Sequence, residues 1–160
     1  MWLRFWQALA IVSTALCLVP VGAHLVEMPH KLALEPAEYM VVQRIYAGWA
    51  LFGIVIVIAL VATLVHTVLV RADTAVRWVS LMAFLCLAAT QALFWTFTYP
   101  VNVATQSWTR LPQPFEEARL QWETSHAAGA VLTLLALVLI VLAVVFECSR
   151  TVEQDRRDVP

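Results

Sequence analysis

Charge is scarce in this chain. Only 13% of its 160 residues are Asp, Glu, Lys or Arg, about half the share of a soluble domain. The formal net charge is −1, which excludes a broad basic surface for nucleic acid and a polybasic patch for anionic lipid. Cysteine is scarce as well. Cys17, Cys86 and Cys148 have neither metal-ligand spacing nor the pattern of a disulfide framework, so they read as small packing residues. No internal repeat, low-complexity tract or linker divides the sequence, which therefore reads as one domain over residues 1–160.

What is abundant is apolar: 62% of the residues are hydrophobic. Four runs, over residues 5–25, 46–70, 78–99 and 127–146, meet the requirement of about 20 mainly apolar residues per membrane span. Their interiors carry no Asp, Glu, Lys or Arg, each of which costs roughly 2.5–3.5 kcal/mol near a helix centre. Runs of that length exclude the roughly ten-residue alternating strands of a membrane barrel. The expected fold class is all-α: an integral membrane four-helix bundle in contact with the lipid bilayer. Arg4, the first run and Val21-Gly22-Ala23 also fit a secretory signal with a small-residue cleavage site. The run exceeds the usual signal core of about 7–15 residues, so the first helix is expected to be retained.

With four spans, both termini lie on one side, together with Arg4, Arg71, Arg77, Arg150, Arg156 and Arg157. The other side holds Lys31, Arg44, Arg110 and Arg119. Six against four places the termini in the cytoplasm. On the outer side, Glu35-Pro36 with Glu38 in the first turn marks a helix start, and no strong breaker follows before the turn at 71–74. Helix 2 is thus expected to run about 35 residues, or roughly 50 Å. After Pro112 and Pro114, Phe115-Glu116-Glu117 opens a pattern that continues to Cys148. Helices 2 and 4 are therefore both expected to extend on the outer side and to form a cap. Gly48, Gly53, Ala88, Ala89, Ala92 and residues 127–130 mark close helix contacts.

Chemistry concentrates at that outer mouth. Glu27-x-x-His30 and Glu123-x-x-His126 repeat one four-residue pattern where apolar runs meet polar loops. Residues three and four apart share a helix face, so Arg119, Trp122, Glu123 and His126 line one stripe and Tyr39, Gln43 and Tyr46 another. His24 and Glu27 share a face at the end of helix 1, where Pro29 is expected to end or kink the helix. Gln91 and Trp95 lie in the outer half of span 3, and Asn102 and Trp108 in the loop after it. Two Glu-x-x-His pairs can hold a dinuclear metal centre, but only with a further Glu from each of the other two helices. Helix 2 offers only Glu38, and span 3 has no acid. A single metal ion on His24, Glu27 and His30, with His126, is the metal alternative. The bland reading makes these groups interface anchors, with Arg119 and Glu123 as an i, i+4 ion pair. His66, toward the other end of span 2, reads as a hydrogen bond to a neighbouring helix.

The segment PVNVATQSWTRLPQPFEEARLQWETSHAAGAVL resembles the signature of the anthrone oxygenase-like family of small four-span membrane proteins. That signature has an Asn after span 3, a Trp a few residues on, and a Trp and His at the head of span 4. Asn102, Trp108, Trp122 and His126 stand at the matching positions, with Arg119 before them. HLVEMPHKL is similar in placement to the family's proline-containing first outer loop. The chain departs after His126, where Ala127-Ala128-Gly129-Ala130 stands in place of the family's arginine. The resemblance implies oxidation of an aromatic substrate by molecular oxygen without a tightly bound organic cofactor. His126, aided by Glu123, would take a proton. Asn102 and Arg119 would stabilise the oxyanion, while Trp95, Trp108, Trp122 and Gln91 would hold an aromatic or apolar ligand. The alternatives are a metal-binding membrane protein and a non-catalytic subunit that docks on a membrane protein partner.

Overall fold

The computed structural model describes residues 1–157, with side chains through residue 150. Arg156 and Arg157 of the charge count thus lie outside the described side chains. The described chain is helical throughout, with no strand: α1 (Trp2–Leu32), α2 (Pro36–Val42), α3 (Phe52–Leu69), α4 (Thr74–Leu93), α5 (Tyr99–Ala104) and α6 (Phe115–Arg157). Four helical stretches are long and apolar enough to cross a membrane: Trp2–Leu32, Trp49–Leu69, Thr74–Ala104 and Phe115–Arg150. Each of α1, α3, α4 and α6 packs against two neighbours: α1 against α3 and α6, and α4 against α3 and α6.

The inward seam of α1 sets which of its polar side chains are enclosed. Ala10, Cys17, His24 and Lys31 are all buried and stand seven residues apart, with Gln7 and Thr14 beside them. A seven-residue repeat keeps one helix face on its partner, so the seam that packs Ala10 and Cys17 carries His24 and Lys31 inward too. Pro29, expected to end or kink the helix, does not end it. α1 runs through both Pro20 and Pro29, and its last turn is fixed by the partners of Lys31.

The long second helix is not continuous. α2 passes into a 3-10 turn at Gln43–Tyr46. Ala47 is then extended at ψ 126°, and Gly48 takes φ +88°, the left-handed region. A second 3-10 turn, Trp49–Leu51, leads into α3. No atom would meet a Cβ at Gly48 within 4 Å, so glycine is needed for its conformation, not for space. The break brings α2 back over the head of α6 instead of letting it project.

Asn102, expected in a loop, sits on α5. Pro100 has no N–H to give, and its ring would strike the carbonyl four residues back. A π-helical stretch, Phe94–Thr98, widens the helix just before it, so α4 continues into α5. Gln106, Ser107 and Trp108 then take φ of 50°, 55° and 63°. Three successive non-glycine residues in the left-handed region cost roughly 1–2 kcal/mol each, and this turn aims Trp108 inward. Trp108, Tyr39, Val101, Phe115 and Trp122 form one buried cluster, which caps the end of the helices.

Candidate functional site

Beneath this cap lies the one place among the described residues where buried opposite charges meet. Lys31 on α1 is 2% exposed and Glu123 on α6 is 1% exposed. Their Nζ and Oε1 atoms are 2.8 Å apart. The Tyr39 hydroxyl donates to the same Oε1 at 2.8 Å. Burial, and then the Glu123 carboxylate, hold the Tyr39 phenol well above its usual range, so it stays protonated and donates. Glu123 Oε2 is buried with no hydrogen-bond partner.

Lys31 Nζ also lies 3.2 Å from His24 Nδ1. An ammonium has only hydrogens to give, so Nδ1 accepts and the His24 ring proton sits on Nε2. His126 Nδ1 lies 2.9 Å from the Trp122 carbonyl oxygen. A carbonyl only accepts, so Nδ1 carries the proton and Nε2 keeps its lone pair. The two imidazoles are edge to face, with centroids 4.5 Å apart. Tyr46 and Trp122 each place a ring 5.1 Å from Lys31 Nζ, within cation–π range. Trp49 and Tyr46 also flank the His24 ring, at 5.7 and 4.3 Å. Glu27 accepts a hydrogen bond from the Tyr46 hydroxyl.

Of the residues singled out in the sequence, His24, Glu27, Tyr39, Tyr46, Trp122, Glu123 and His126 come together here. His30 does not: it is exposed, since six residues from His24 is about 240° around the helix. Among the described residues no three His, Cys, Asp or Glu side chains could hold a metal ion. Lys31 Nζ takes the His24 Nδ1 lone pair that a metal would need on that nitrogen. Arg119 is not paired with Glu123. It donates to the Leu34 carbonyl at 2.8 Å, pairs with Glu116, and lies over the Phe115 and Tyr39 rings at 5.0 and 5.7 Å. Arg119 therefore ties the loop after α1 to α6. Asn102 Oδ1 accepts from Trp122 Nε1 at 2.8 Å and sets that ring's angle. Trp108 stands behind Trp122, ring centroids 5.7 Å apart.

Trp95 points away. It is 59% exposed and packs against Phe94 and Tyr99, as an aromatic residue at a membrane interface does. Gln91 is half-buried on α4 and makes no hydrogen bond to the cluster. Lys31 and Trp49 are the site residues that spacing arguments passed over. A composition signal was there for the first of them: the chain has one lysine and nine arginines. Lysine can release its proton whereas arginine does not, and the single exception falls at a buried position, beside Glu123. Compared with known proteins, the chain matches no family model, no curated protein and no solved structure.

Proposed function

We propose that this chain is a membrane-embedded oxidoreductase of the anthrone oxygenase-like kind, acting on an apolar aromatic compound at the cap end of a four-span bundle. The observation that carries this reading is the meeting of a cation, an acid and two imidazoles between aromatic rings, in helices otherwise made for lipid. Ionisable groups enclosed within such helices are expensive and mark function by default. The excess of basic residues beside the termini, six against four, points the cap end away from the cytoplasm.

His126 Nε2 supplies the base and takes a proton from an activated ring CH2. The carbanion adds to molecular oxygen. The peroxide formed at that carbon loses water with its second hydrogen, leaving a ketone; CH2 and O2 become C=O and H2O. No further reductant is needed. Lys31, rather than Arg119, is the cation placed to hold the substrate's oxyanion, and Asn102 acts as a positioning residue through Trp122. The metal-binding reading has no favouring observation.

The test is oxygen uptake with an anthrone as substrate, on protein purified in mild detergent. His126→Ala is expected to lose at least about 100-fold in turnover, within the usual 10²–10⁴ range for a general base, while remaining folded in the membrane. Undiminished turnover would reject the assignment. A protein co-purifying at fixed stoichiometry, with His126 variants harmless, would favour the assembly-partner reading instead.

A further inference from the structure

The chain's only lysine is the most buried Lys or Arg side chain among the described residues, and its surroundings suit covalent chemistry as well as charge. We infer that Lys31 is a carbonyl-binding residue, which takes an apolar aldehyde or ketone as a protonated Schiff base with Glu123 as proton carrier and counter-ion. This inference rests on the reading of the cap-end cluster as a substrate site and names the carbonyl group as what that site recognises.

Three observations support it. First, the other nine Lys or Arg positions in the chain are arginine, which cannot become a nucleophile; of the two buried cations, Lys31 and Arg119, only the lysine can. Second, the acid that must accept the ammonium proton is in place, with Glu123 Oε1 2.8 Å from Nζ and Tyr39 donating to the same oxygen. Third, Glu123 Oε2 is buried and has no partner, on a residue that is 1% exposed. A buried carboxylate oxygen without a donor is costly, and a hydroxyl formed next to Nζ would satisfy it. The Tyr46 and Trp122 rings, each 5.1 Å from Nζ, supply flat apolar walls for a conjugated carbonyl compound.

The step balances without an oxidant. Lys31 gives one proton to Glu123 Oε1, and its free amine attacks the carbonyl carbon to form a carbinolamine. Glu123 returns the proton to the new hydroxyl, the C–O bond breaks, water leaves, and the nitrogen lone pair closes the C=N bond. The products are a protonated imine and water, with Glu123 again a carboxylate beside the positive nitrogen.

The probe is 9-anthraldehyde, added anaerobically to the full chain in mild detergent, followed by borohydride reduction and peptide mapping. Because the chain has one lysine, its only rival amine is the exposed N-terminus. The expected result is a reduced adduct on Lys31 in native protein, lost in Lys31→Arg while N-terminal labelling persists. Before reduction, the imine should show the red-shifted absorption of its protonated form, and that shift should be lost in Glu123→Gln. Labelling confined to the N-terminus, or reaching Lys31 only after unfolding in SDS, would overturn the inference. A red shift unchanged in Glu123→Gln would remove Glu123 as counter-ion. The wild-type map stands even where a variant fails to fold. The trapping is anaerobic and separate from the oxygen-uptake assay, so a missing adduct with intact anthrone turnover in that assay sinks this inference alone. An adduct without turnover sinks only the oxygenase reading.

Discussion

The two ends of the helix packing bury polar groups of different kinds. At the cap end an ammonium, a carboxylate and two imidazoles from α1 and α6 meet among aromatic rings. At the opposite end His66, 0% exposed, places Nδ1 2.9 Å from the Ser80 hydroxyl, and Thr67 sits 2.8 Å from the same oxygen. Thr67 also donates back to the Thr63 carbonyl at 2.8 Å. That second cluster joins α3 to α4 through hydroxyls and one ring. The same packing thus accommodates two grades of polarity. Hydroxyl and imidazole contacts of the second kind hold helices together at modest gain. A desolvated ion pair is weak evidence of stability, because the cost of taking both charges out of water is large. Its presence at the cap end is better explained by what the charges do.

The largest effect should come from splitting that pair. Lys31→Met leaves Glu123 buried without its cation, and removing one partner of a buried pair costs about 3–5 kcal/mol. Lys31→Met combined with Glu123→Leu removes both charges and should restore most of the loss. Thermal unfolding in one detergent checks both. Were the double variant as damaged as the single one, the pair would be a structural element and the contrast between the two ends would fail. Stability recovered without turnover would place the pair's value in chemistry.

A smaller effect is expected at the hinge above the site. Gly48→Ala puts a Cβ on a residue at φ +88°, a strain of roughly 1–2 kcal/mol. Nothing crowds the new atom, so the fold should persist with a modest drop in melting temperature. The change should also perturb Tyr46 and Trp49, the rings on either side of the break. Tryptophan fluorescence reports on that, and the same substitution at Gly53, inside α3 with open space around it, is the control.

Much of the scaffold could be read from the residues, because span length and uncharged interiors are properties of composition. The four apolar stretches and the helix starts at Pro36 and Phe115 needed nothing more. The break at Gly48 was hidden because one left-handed residue leaves no mark on hydropathy. Pro29 misled in the other direction: a proline rule about isolated helices cannot know that Lys31, two residues on, is held from across the packing. The site was half legible. Counting three and four residues along a helix joined Glu123 to His126 and Glu27 to His30. The inward seam of α1 is instead set by the seven-residue series through Ala10, Cys17, His24 and Lys31. That series brought in the lysine and left His30 outside.

The smallest effect belongs to the hydroxyl cluster at the opposite end, and it is the one that sharpens the contrast most. Ser80→Ala removes the hydroxyl shared by His66 and Thr67. Hydrogen bonds between membrane helices average about 0.6 kcal/mol in double-mutant cycles, and Thr67 keeps its bond to the Thr63 carbonyl. The loss should therefore be near 0.6 kcal/mol, several times less than for Lys31→Met, with anthrone turnover and aldehyde trapping unchanged. A loss as large as that from splitting the ion pair would mean that His66 depends wholly on Ser80. Both ends would then carry similar weight in the fold, and burial of charge alone would no longer single out the cap end. A change in turnover would go further, since Ser80 lies at the opposite end from Lys31 and has no route to the chemistry except through the packing of α3 and α4.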